Sequence, residues 1–330
     1  MKVFIYEHLC GGGFLKTFGA GSMLAEGEAM LGAALRDFGR IEYVELFSIV
    51  DKKNDKRLRE TFARLPEVKP IQSTWLDAFI DCVQQCDAAL IIAPESNGTL
   101  KKLTKIVINL GKINLGSSPE AISVTGNKLI FSTVMKKIGI AHPRTFLIDS
   151  NVAPDRHFDG AWVGKPVDGA GSEGVRVYGN GDYEQGRVGA GMIAQEYVEG
   201  EPMSLSVVSG ANDSVILSVN RQRISCAMRY EGGEILSVSP DDILCDLVNR
   251  IKKALPGLNG YWGLDYVDTG EYPVVIEVNP RLTTSYNALS KALCVNPAEM
   301  ILNIAMGQTL PEIKSRTAIG FSAAGMTVVL

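Results

Sequence analysis

Residues 274–281 read VVIEVNPR, and this short stretch decides how the rest of the chain is interpreted. Most of its side chains suit a buried strand, yet Glu277 and Asn279 interrupt it two positions apart, and Arg281 follows. Because side chains alternate between the two faces of a strand, Glu277 and Asn279 are predicted to share one face with Val275. The opposite face is predicted to carry three aliphatic residues: Val274, Ile276 and Val278.

A second carboxylate comes from the preceding strand, YWGLDYV (261–267), which the turn-forming segment DTGEYP joins to VVIEVNPR. A turn centred on residues 270–271 places Asp265 directly opposite Glu277. Two facing carboxylates repel each other, and burial adds to that cost unless a cation lies between them. With the amide oxygen of Asn279 the donor set is all oxygen, which suits Mg²⁺ (or Mn²⁺). The alternative is a solvated hairpin face that binds nothing.

Residues 164–175, GKPVDGAGSEGV, place Lys165 before a glycine-rich turn. Successive backbone amides of such a turn can bind an anion, and a lysine supplies a point charge for phosphate. The segment is not a Walker loop, and taken alone it is more often a plain hairpin. Lys128, early in a helix predicted over 118–138, is a second candidate for a phosphate contact. The candidate phosphate-binding residues of the turn are Gly169, Gly171, Ser172 and Gly174.

A third candidate segment is AQEYVEGEP (194–202), in which an apolar strand ends in a linker. The backbone of such a linker can pair with an adenine edge, while Tyr197 and Val198 provide apolar walls. Glu201 is a candidate acceptor for ribose hydroxyls. An exposed acidic turn is the alternative. The candidate nucleotide contacts of this segment are Gln195, Glu196, Tyr197, Val198 and Glu201.

The first third of the chain alternates apolar strands and helices, which predicts an open αβ sheet. AALIIAP (88–94) is a continuous apolar run of the kind buried in parallel sheets. The glycines at 11–13 follow the first strand, but their spacing does not match GxGxxG, so a nicotinamide-dinucleotide fold is disfavoured. The later part of the chain has alternating patterns that predict antiparallel strands.

Composition excludes several classes of function. The 330 residues carry a net charge of −4, which provides no positive field for nucleic acid or an anionic membrane. The six cysteines form no CxxC and the histidines number three, so a zinc site or a disulfide framework is not expected. No secretory signal or membrane-spanning run is recognised, and a cytoplasmic protein of two or three structural units is expected.

The order of these motifs resembles the ATP-grasp superfamily, through Lys128, Lys165 with its glycine-rich lid, QEYVEGE (195–201), Asp265 and EVNPR (277–281). The resemblance implies an N-terminal open αβ sheet domain (1–116) and two α+β subdomains that grip ATP (117–190 and 191–330). Family members often carry aspartate where this chain has Asn127, which is interpreted as a change at a helix start that leaves the lysine unaffected.

The resemblance also implies phosphoryl transfer from ATP to a carboxylate, followed by attack of an amine on the acyl phosphate. Lys128 and Lys165 would neutralise the nucleotide phosphates, and Arg281 would contact the transferring phosphoryl group or the tetrahedral oxyanion. Arg221 is a second candidate for that task or for the substrate carboxylate, and a structural salt bridge is equally open. The implied metal ligands are Asp265, Glu277 and Asn279.

Within the superfamily the sequence is most similar to the tyramine–glutamate ligases of methanofuran biosynthesis. The matching stretches are YEHLCGGG (6–13), IIAPESNGTL (91–100), LSVNRQRI (217–224) and EVNPRLTTSY (277–286). This implies glutamate and tyramine, or similar small molecules, as the carboxylate and amine substrates, and a homodimer is plausible from the family.

Other functions stay open from the sequence. They are a dipeptide-type ligase, an enzyme that phosphorylates a carboxylate without an amine step, and a nucleotide-binding regulator without catalysis. No residue is identified as the base that keeps the amine neutral. Glu7 and Glu95, each at a strand end of the first domain, could face the acceptor, although exposed loop carboxylates are more common.

Overall fold

The structure is a computed structural model of the 330-residue chain. Three sheets and the helices between them make up the described residues. No helix in this part of the chain is long and apolar enough to cross a membrane. The described residues are 1–13, 20–51, 68–71, 73–148, 158–169, 174–179, 191–211 and 213–330.

The first sheet is parallel, with strand order β3-β2-β1-β4-β5. β1 and β4 are almost completely buried because helices cover both faces of the sheet. The strands are β1 (Lys2–Glu7), β2 (Glu45–Val50), β3 (Val68–Pro70), β4 (Ala88–Ile92) and β5 (Ile113–Asn114). The helices are α1 (Ala20–Phe38), α2 (Trp75–Gln85) and α3 (Thr99–Asn109).

Two short helices follow, α4 (Pro119–Thr125) and α5 (Lys128–Lys137), where a single helix over 118–138 was predicted. That prediction is wrong because Asn127 has an extended backbone (φ −119°, ψ 104°). The Asn127 side chain accepts hydrogen bonds from the amides of Leu129 and Ile130, so it caps a new helix. The interpretation of Asn127 as a residue of a helix start is confirmed.

The second sheet is antiparallel, in the order β6-β9-β7-β8. Its strands are β6 (Thr145–Leu147), β7 (Trp162–Pro166), β8 (Arg176–Tyr178) and β9 (Met192–Glu196). Trp162 is fully buried and stacks on Tyr178 across the β7–β8 pair, with ring centroids 4.2 Å apart. The domain boundary predicted after residue 116 stays a prediction, and the one after residue 190 lies outside the described residues.

The third sheet has seven antiparallel strands in the order β14-β13-β10-β11-β12-β15-β16. One of its faces packs against α6 (Asp242–Ala254) through Leu264, Leu247 and Ile251. The strands are β10 (Glu201–Ser209), β11 (Ser214–Ile224), β12 (Tyr230–Ile235), β13 (Gly260–Asp268), β14 (Pro273–Asn279), β15 (Ile319–Ser322) and β16 (Thr327–Val329). Two further helices are α7 (Tyr286–Ala292) and α8 (Pro297–Ala305).

The β13–β14 pair contains an irregularity that changes one predicted face. Asp265 pairs with Glu277 as predicted, but Tyr266 pairs with Val275, so Ile276 is the extra residue of a bulge. Val275 is therefore buried in the apolar core, and its predicted place beside Glu277 is wrong. The Val275 amide donates to the carbonyl of Ala141 (2.9 Å), which fixes this edge strand to the segment that leads into the second sheet.

The C-terminal strands close against the first helix of the chain. The apolar core beneath the first sheet is shared by α1, α7, α8 and β15. Gly325, in the turn between β15 and β16, has a positive φ of 84°, and a Cβ there would lie 2.4 Å from the Cβ of Ala29. A glycine is therefore needed for this close approach, which holds α1 against the third sheet.

Candidate active site

A cleft of about 1900 Å³ lies between the second and third sheets, with α1 along one side. A pocket for one drug-sized ligand usually measures about 300–1,000 Å³. The cleft therefore has room for a nucleotide together with further substrates. All the predicted metal-site residues line it, as do both lysines and Arg281.

Asp265 and Glu277 face each other in the cleft, as predicted. Asp265 accepts hydrogen bonds from Gln222 (3.0 Å) and Asn279 (2.9 Å). Desolvation by the surrounding protein and then repulsion by Glu277 raise the pKa of Asp265 to about 7. The pair of carboxylates thus costs free energy when both are ionised, and a cation would remove that cost.

Two lysines lie on the Glu277 side of the pair. Lys128 Nζ is 3.7 Å from Glu277 Oε2 and donates a hydrogen bond to the carbonyl of Gly169 (2.6 Å). Lys165 is only 6% exposed, and burial lowers its pKa to about 8. Desolvation opposes ionisation of Glu277, but Lys128, Lys165 and Arg281 more than offset this and hold its pKa below the usual value.

These residues fit a hard divalent cation. The described residues include no group of three histidine, cysteine, aspartate or glutamate side chains that could hold a metal. The donors here are two carboxylates and the oxygen of Asn279, whose amide nitrogen is used by Asp265. Magnesium is commonly held by one or two carboxylates together with substrate phosphates, so this short donor set suits it.

Arg281 is fixed by Glu95, which lies in the loop after β4 of the first sheet. Its Nε lies 3.0 Å from Glu95 Oε1, and its Nη2 donates to Glu95 Oε2 at 3.2 Å. Both side chains are largely buried, with 15% and 8% exposed. A two-point contact of this kind sets the orientation of the guanidinium plane. Glu95, considered above as a residue that faces the acceptor, instead positions Arg281.

Arg221 and Glu201 lie on the wrong face of the third sheet for their predicted roles. Ser204 pairs with both Asp265 and Asn220, so these residues share the cleft face, and their odd-numbered neighbours on β10 and β11 point away from it. Arg221 forms ion pairs with Glu201 and Glu234. The predicted substrate contact of Arg221 and the predicted ribose contact of Glu201 are therefore wrong. The alternative for Arg221, a structural salt bridge, is correct.

The predicted adenine segment lines the cleft, but several of its polar groups already have partners. Gln195 donates to Thr145 Oγ1 (2.9 Å), and Glu196 forms an ion pair with Arg144 (2.8 Å). The Tyr197 amide donates to a backbone carbonyl of residue 161. The surfaces left for a base are thus the Tyr197 ring, which is 39% exposed, and the Val198 side of the linker.

The glycine-rich lid is described only at its two ends. Gly169 and Gly174 line the cleft, and Gly174 has a φ of 73°, which favours glycine. The carbonyl of Gly169 accepts a hydrogen bond from Lys128, so this end of the lid is tied to the Lys128 side of the cleft. The predicted contacts of Gly171 and Ser172 lie outside the described residues.

Some cleft residues escaped the sequence analysis. Gln222 binds Asp265, and the polar pair Asn220 and Gln222, two apart on β11, has the same spacing as Glu277 and Asn279. That spacing indicates, from the sequence alone, that Asn220 and Gln222 face the same cleft as Glu277 and Asn279. Glu26 on α1 and Tyr230 on β12 also line the cleft, but no local pattern marks them because they come from distant parts of the chain.

The comparisons with known proteins agree with this geometry. A family model described as an ATP-grasp domain matches residues 125–285, and one described as a pre ATP-grasp 3 domain matches residues 44–122. The tyramine–L-glutamate ligase of Methanocaldococcus fervens is 30% identical over 291 residues, which cover 87% of this chain and 89% of that protein. The enzyme of the same name from Methanocaldococcus jannaschii is 27% identical over 314 residues, covering 93% and 90%.

A crystal structure of an ATP-grasp superfamily protein from Archaeoglobus fulgidus superposes with a TM-score of 0.72 at 29% identity, covering 97% of this chain and 92% of that one. The predicted fold is confirmed by these matches. The chain therefore belongs to the ATP-grasp family and is an ADP-forming, ATP-dependent ligase that joins a carboxylate to an amine.

Proposed function

We propose that this ligase activates glutamate as an acyl phosphate and joins it to tyramine or a similar amine, in a pathway of the methanofuran type. Relatives named tyramine–L-glutamate ligase, similar over about nine-tenths of their length, support this choice of substrates. Mg²⁺ (or Mn²⁺) bound by Asp265, Glu277 and Asn279 would supply charge neutralisation for the ATP phosphates.

The main support for the proposal is the arrangement of two lysines and two carboxylates at one end of the cleft. Lys128 and Lys165 lie beside Glu277, while Asp265 faces Glu277 from the next strand. A site with two cationic side chains and a carboxylate pair suits a nucleotide triphosphate with its divalent ion. Binding of a neutral or singly charged ligand would not require so many desolvated charges.

Each chain residue has a separate task in this proposal. Lys128 and Lys165 neutralise phosphate oxygens, and Lys128 also holds the Gly169 end of the lid by a hydrogen bond. Arg281, oriented by Glu95, donates to the oxygens of the transferred phosphoryl group and to the tetrahedral oxyanion that follows. Closure of the cleft excludes water, which would otherwise hydrolyse the acyl phosphate.

A screen of carboxylates and amines, with release of ADP as the measurement, tests the proposal. Glutamate with tyramine is expected to give more ADP than either substrate alone, together with an equal amount of amide. A higher rate with two amino acids would make the protein a dipeptide-type ligase. ADP release with glutamate that no amine accelerates, together with hydroxamate formation on adding hydroxylamine, would indicate carboxylate phosphorylation without an amine step.

A further inference from the structure

The carboxylates of the cleft divide into three with partners and one without. Glu196 is paired with Arg144, Asp265 accepts from Gln222 and Asn279, and Glu277 lies beside Lys128. The fourth carboxylate in the described lining of the cleft is Glu26. Among the described residues its side chain forms no hydrogen bond or ion pair, and burial raises its pKa, opposed by the positive charge of Arg281.

Glu26 lines the cleft from α1, near Arg281. The positive charge of Arg281 acts on both Glu26 and Glu277. Arg281 forms no ion pair with Glu26, and its guanidinium is bound to Glu95 instead. In the part of the chain that the structure describes, Glu26 is therefore a cleft carboxylate without a hydrogen-bond or ion-pair partner, within range of the charge of Arg281.

The α1 wall around Glu26 offers apolar surface. Met23, Ala25 and Met30 line the cleft from the same helix, and Ala323 and Ala324 line it from the turn between β15 and β16. The close packing of that turn on α1 fixes this wall. The body of a molecule bound here is thus expected to be apolar.

Tyr230 completes this end of the cleft. Its hydroxyl accepts a hydrogen bond from Thr284 (2.8 Å), which leaves its own proton available to a ligand. Burial raises the pKa of Tyr230, and the charges of Asp265 and Glu26 raise it further. The phenol stays protonated at any physiological pH.

We propose that Glu26 binds the ammonium group of the amine substrate, whose apolar body lies against Met23, Met30 and Ala323. Glu26 can have this role only if the chain forms an amide from an amine, as proposed above. The ligand class is a primary alkyl or arylalkyl amine, because a single anion faces a largely apolar wall.

Glu26 also has a place in the proton balance of the reaction. The new bond joins the amine nitrogen to the acyl carbon, and the bond that breaks joins that carbon to the phosphate oxygen. An ammonium group loses two protons on the way to an amide. One passes to Glu26 before attack and then to solvent, and the other leaves with the phosphate.

The test compares Glu26→Gln with Glu28→Gln, which removes a charge from the same helix outside the cleft lining. Loss of a charge-assisted hydrogen bond weakens binding by about 10–100-fold. We expect kcat/KM for tyramine to fall by that factor in Glu26→Gln, with KM for ATP and for glutamate within about twofold of wild type. Glu28→Gln should behave like wild type.

Hydroxylamine provides an internal control, because it is largely uncharged at neutral pH and needs no anionic contact. The rate of glutamyl hydroxamate formation should be the same in wild type and Glu26→Gln. An equal loss with tyramine and hydroxylamine, or a raised KM for glutamate, would overturn the assignment to the amine. Unchanged kinetics with tyramine would do the same.

The two proposals can fail separately. A wild-type enzyme that forms no hydroxamate and no amide from any carboxylate overturns the proposed function, whatever Glu26 does. A wild-type enzyme that forms the amide while Glu26→Gln matches Glu28→Gln overturns only the role of Glu26. Thermal melts of both variants check the fold, and Glu26→Asp, which keeps the charge, should recover part of the tyramine rate.

The apolar wall has its own test. Ala323→Leu narrows the cleft beside Glu26 without altering charge. We expect it to lower kcat/KM for tyramine by about tenfold and to leave methylamine within about twofold, because overpacking disfavours the bulky body alone. An equal effect on both amines would place the amine body elsewhere.

Discussion

The two ends of the cleft differ in how their charges are arranged. At the nucleotide end, Lys128, Lys165, Asp265 and Glu277 lie close together, and each charge is balanced in part by another. At the α1 end, Glu26 has no partner among the described residues and faces aliphatic side chains. A cluster of positive and negative side chains suits a ligand that brings both negative charge and a metal ion. A single carboxylate suits a ligand with one positive charge.

The largest loss of activity is expected when a carboxylate at the nucleotide end of the cleft is removed. Asp265→Asn or Glu277→Gln removes a carboxylate that faces its partner across β13 and β14. Loss of several kcal/mol of charge stabilisation should lower ADP release at least about 10³-fold. The fold should survive, because each variant keeps the size of the side chain and removes the repulsion between the pair, although Glu277→Gln also removes the ion pair with Lys128. Circular dichroism checks this. Activity near that of wild type would remove the metal assignment.

Glu95→Gln tests the link between the two ends, because Glu95 holds the Arg281 guanidinium. The amide keeps the shape but loses the ion pair, so Arg281 should be less precisely placed. We expect kcat to fall about 10–100-fold while KM for tyramine stays within twofold. The same loss expressed wholly in KM for the amine would show that Glu95 contacts that substrate instead.

Substitution of Asp37 tests whether amine binding at the α1 end of the cleft changes when the stability of the protein changes. Asp37 is buried at the far end of α1, and desolvation raises its pKa to about 6 from an ordinary value near 3.8. The folded state thus binds the proton more tightly than the unfolded state does, so the free energy of unfolding falls as pH rises from about 4 to 6.

Asp37→Asn lacks this titration. Above pH 6 it should be more stable than wild type by about 3 kcal/mol, and the difference should vanish near pH 4. Urea unfolding at pH 4, 5, 6 and 7.5 measures it. A constant difference across these pH values would contradict the expected titration, and kinetics for tyramine at pH 7.5 should be unchanged.

The smallest effect is expected at Arg221, which serves as the matched control for Arg281. Its ion pairs with Glu201 and Glu234 lie on the face of the third sheet away from the cleft and are partly exposed. Arg221→Gln should lower the free energy of unfolding by less than about 1 kcal/mol and leave ADP release within twofold. A tenfold loss of kcat would return Arg221 to the active site.

Most of the nucleotide end could be predicted because its residues are close in sequence or share a regular register. The β13–β14 hairpin has a short turn, so alternation alone places Asp265 opposite Glu277. The same reasoning failed at Val275, where a bulge shifts the register. It also failed at Glu201 and Arg221, although the polar pair Asn220 and Gln222 on β11 already indicates that the cleft lies on the other face of that strand. The predicted homodimer stays a prediction.

The amino-acid sequence by itself determined the ATP-grasp order of motifs, the open αβ sheet and the carboxylate pair, because these depend on periodicity and spacing within short segments. Only the tertiary structure decided that Glu95 orients Arg281 and that Glu26 faces the cleft. Glu95 and Arg281 are separated by 186 positions in the chain. Contacts of that range are set by how whole sheets and helices pack, and no local pattern encodes them.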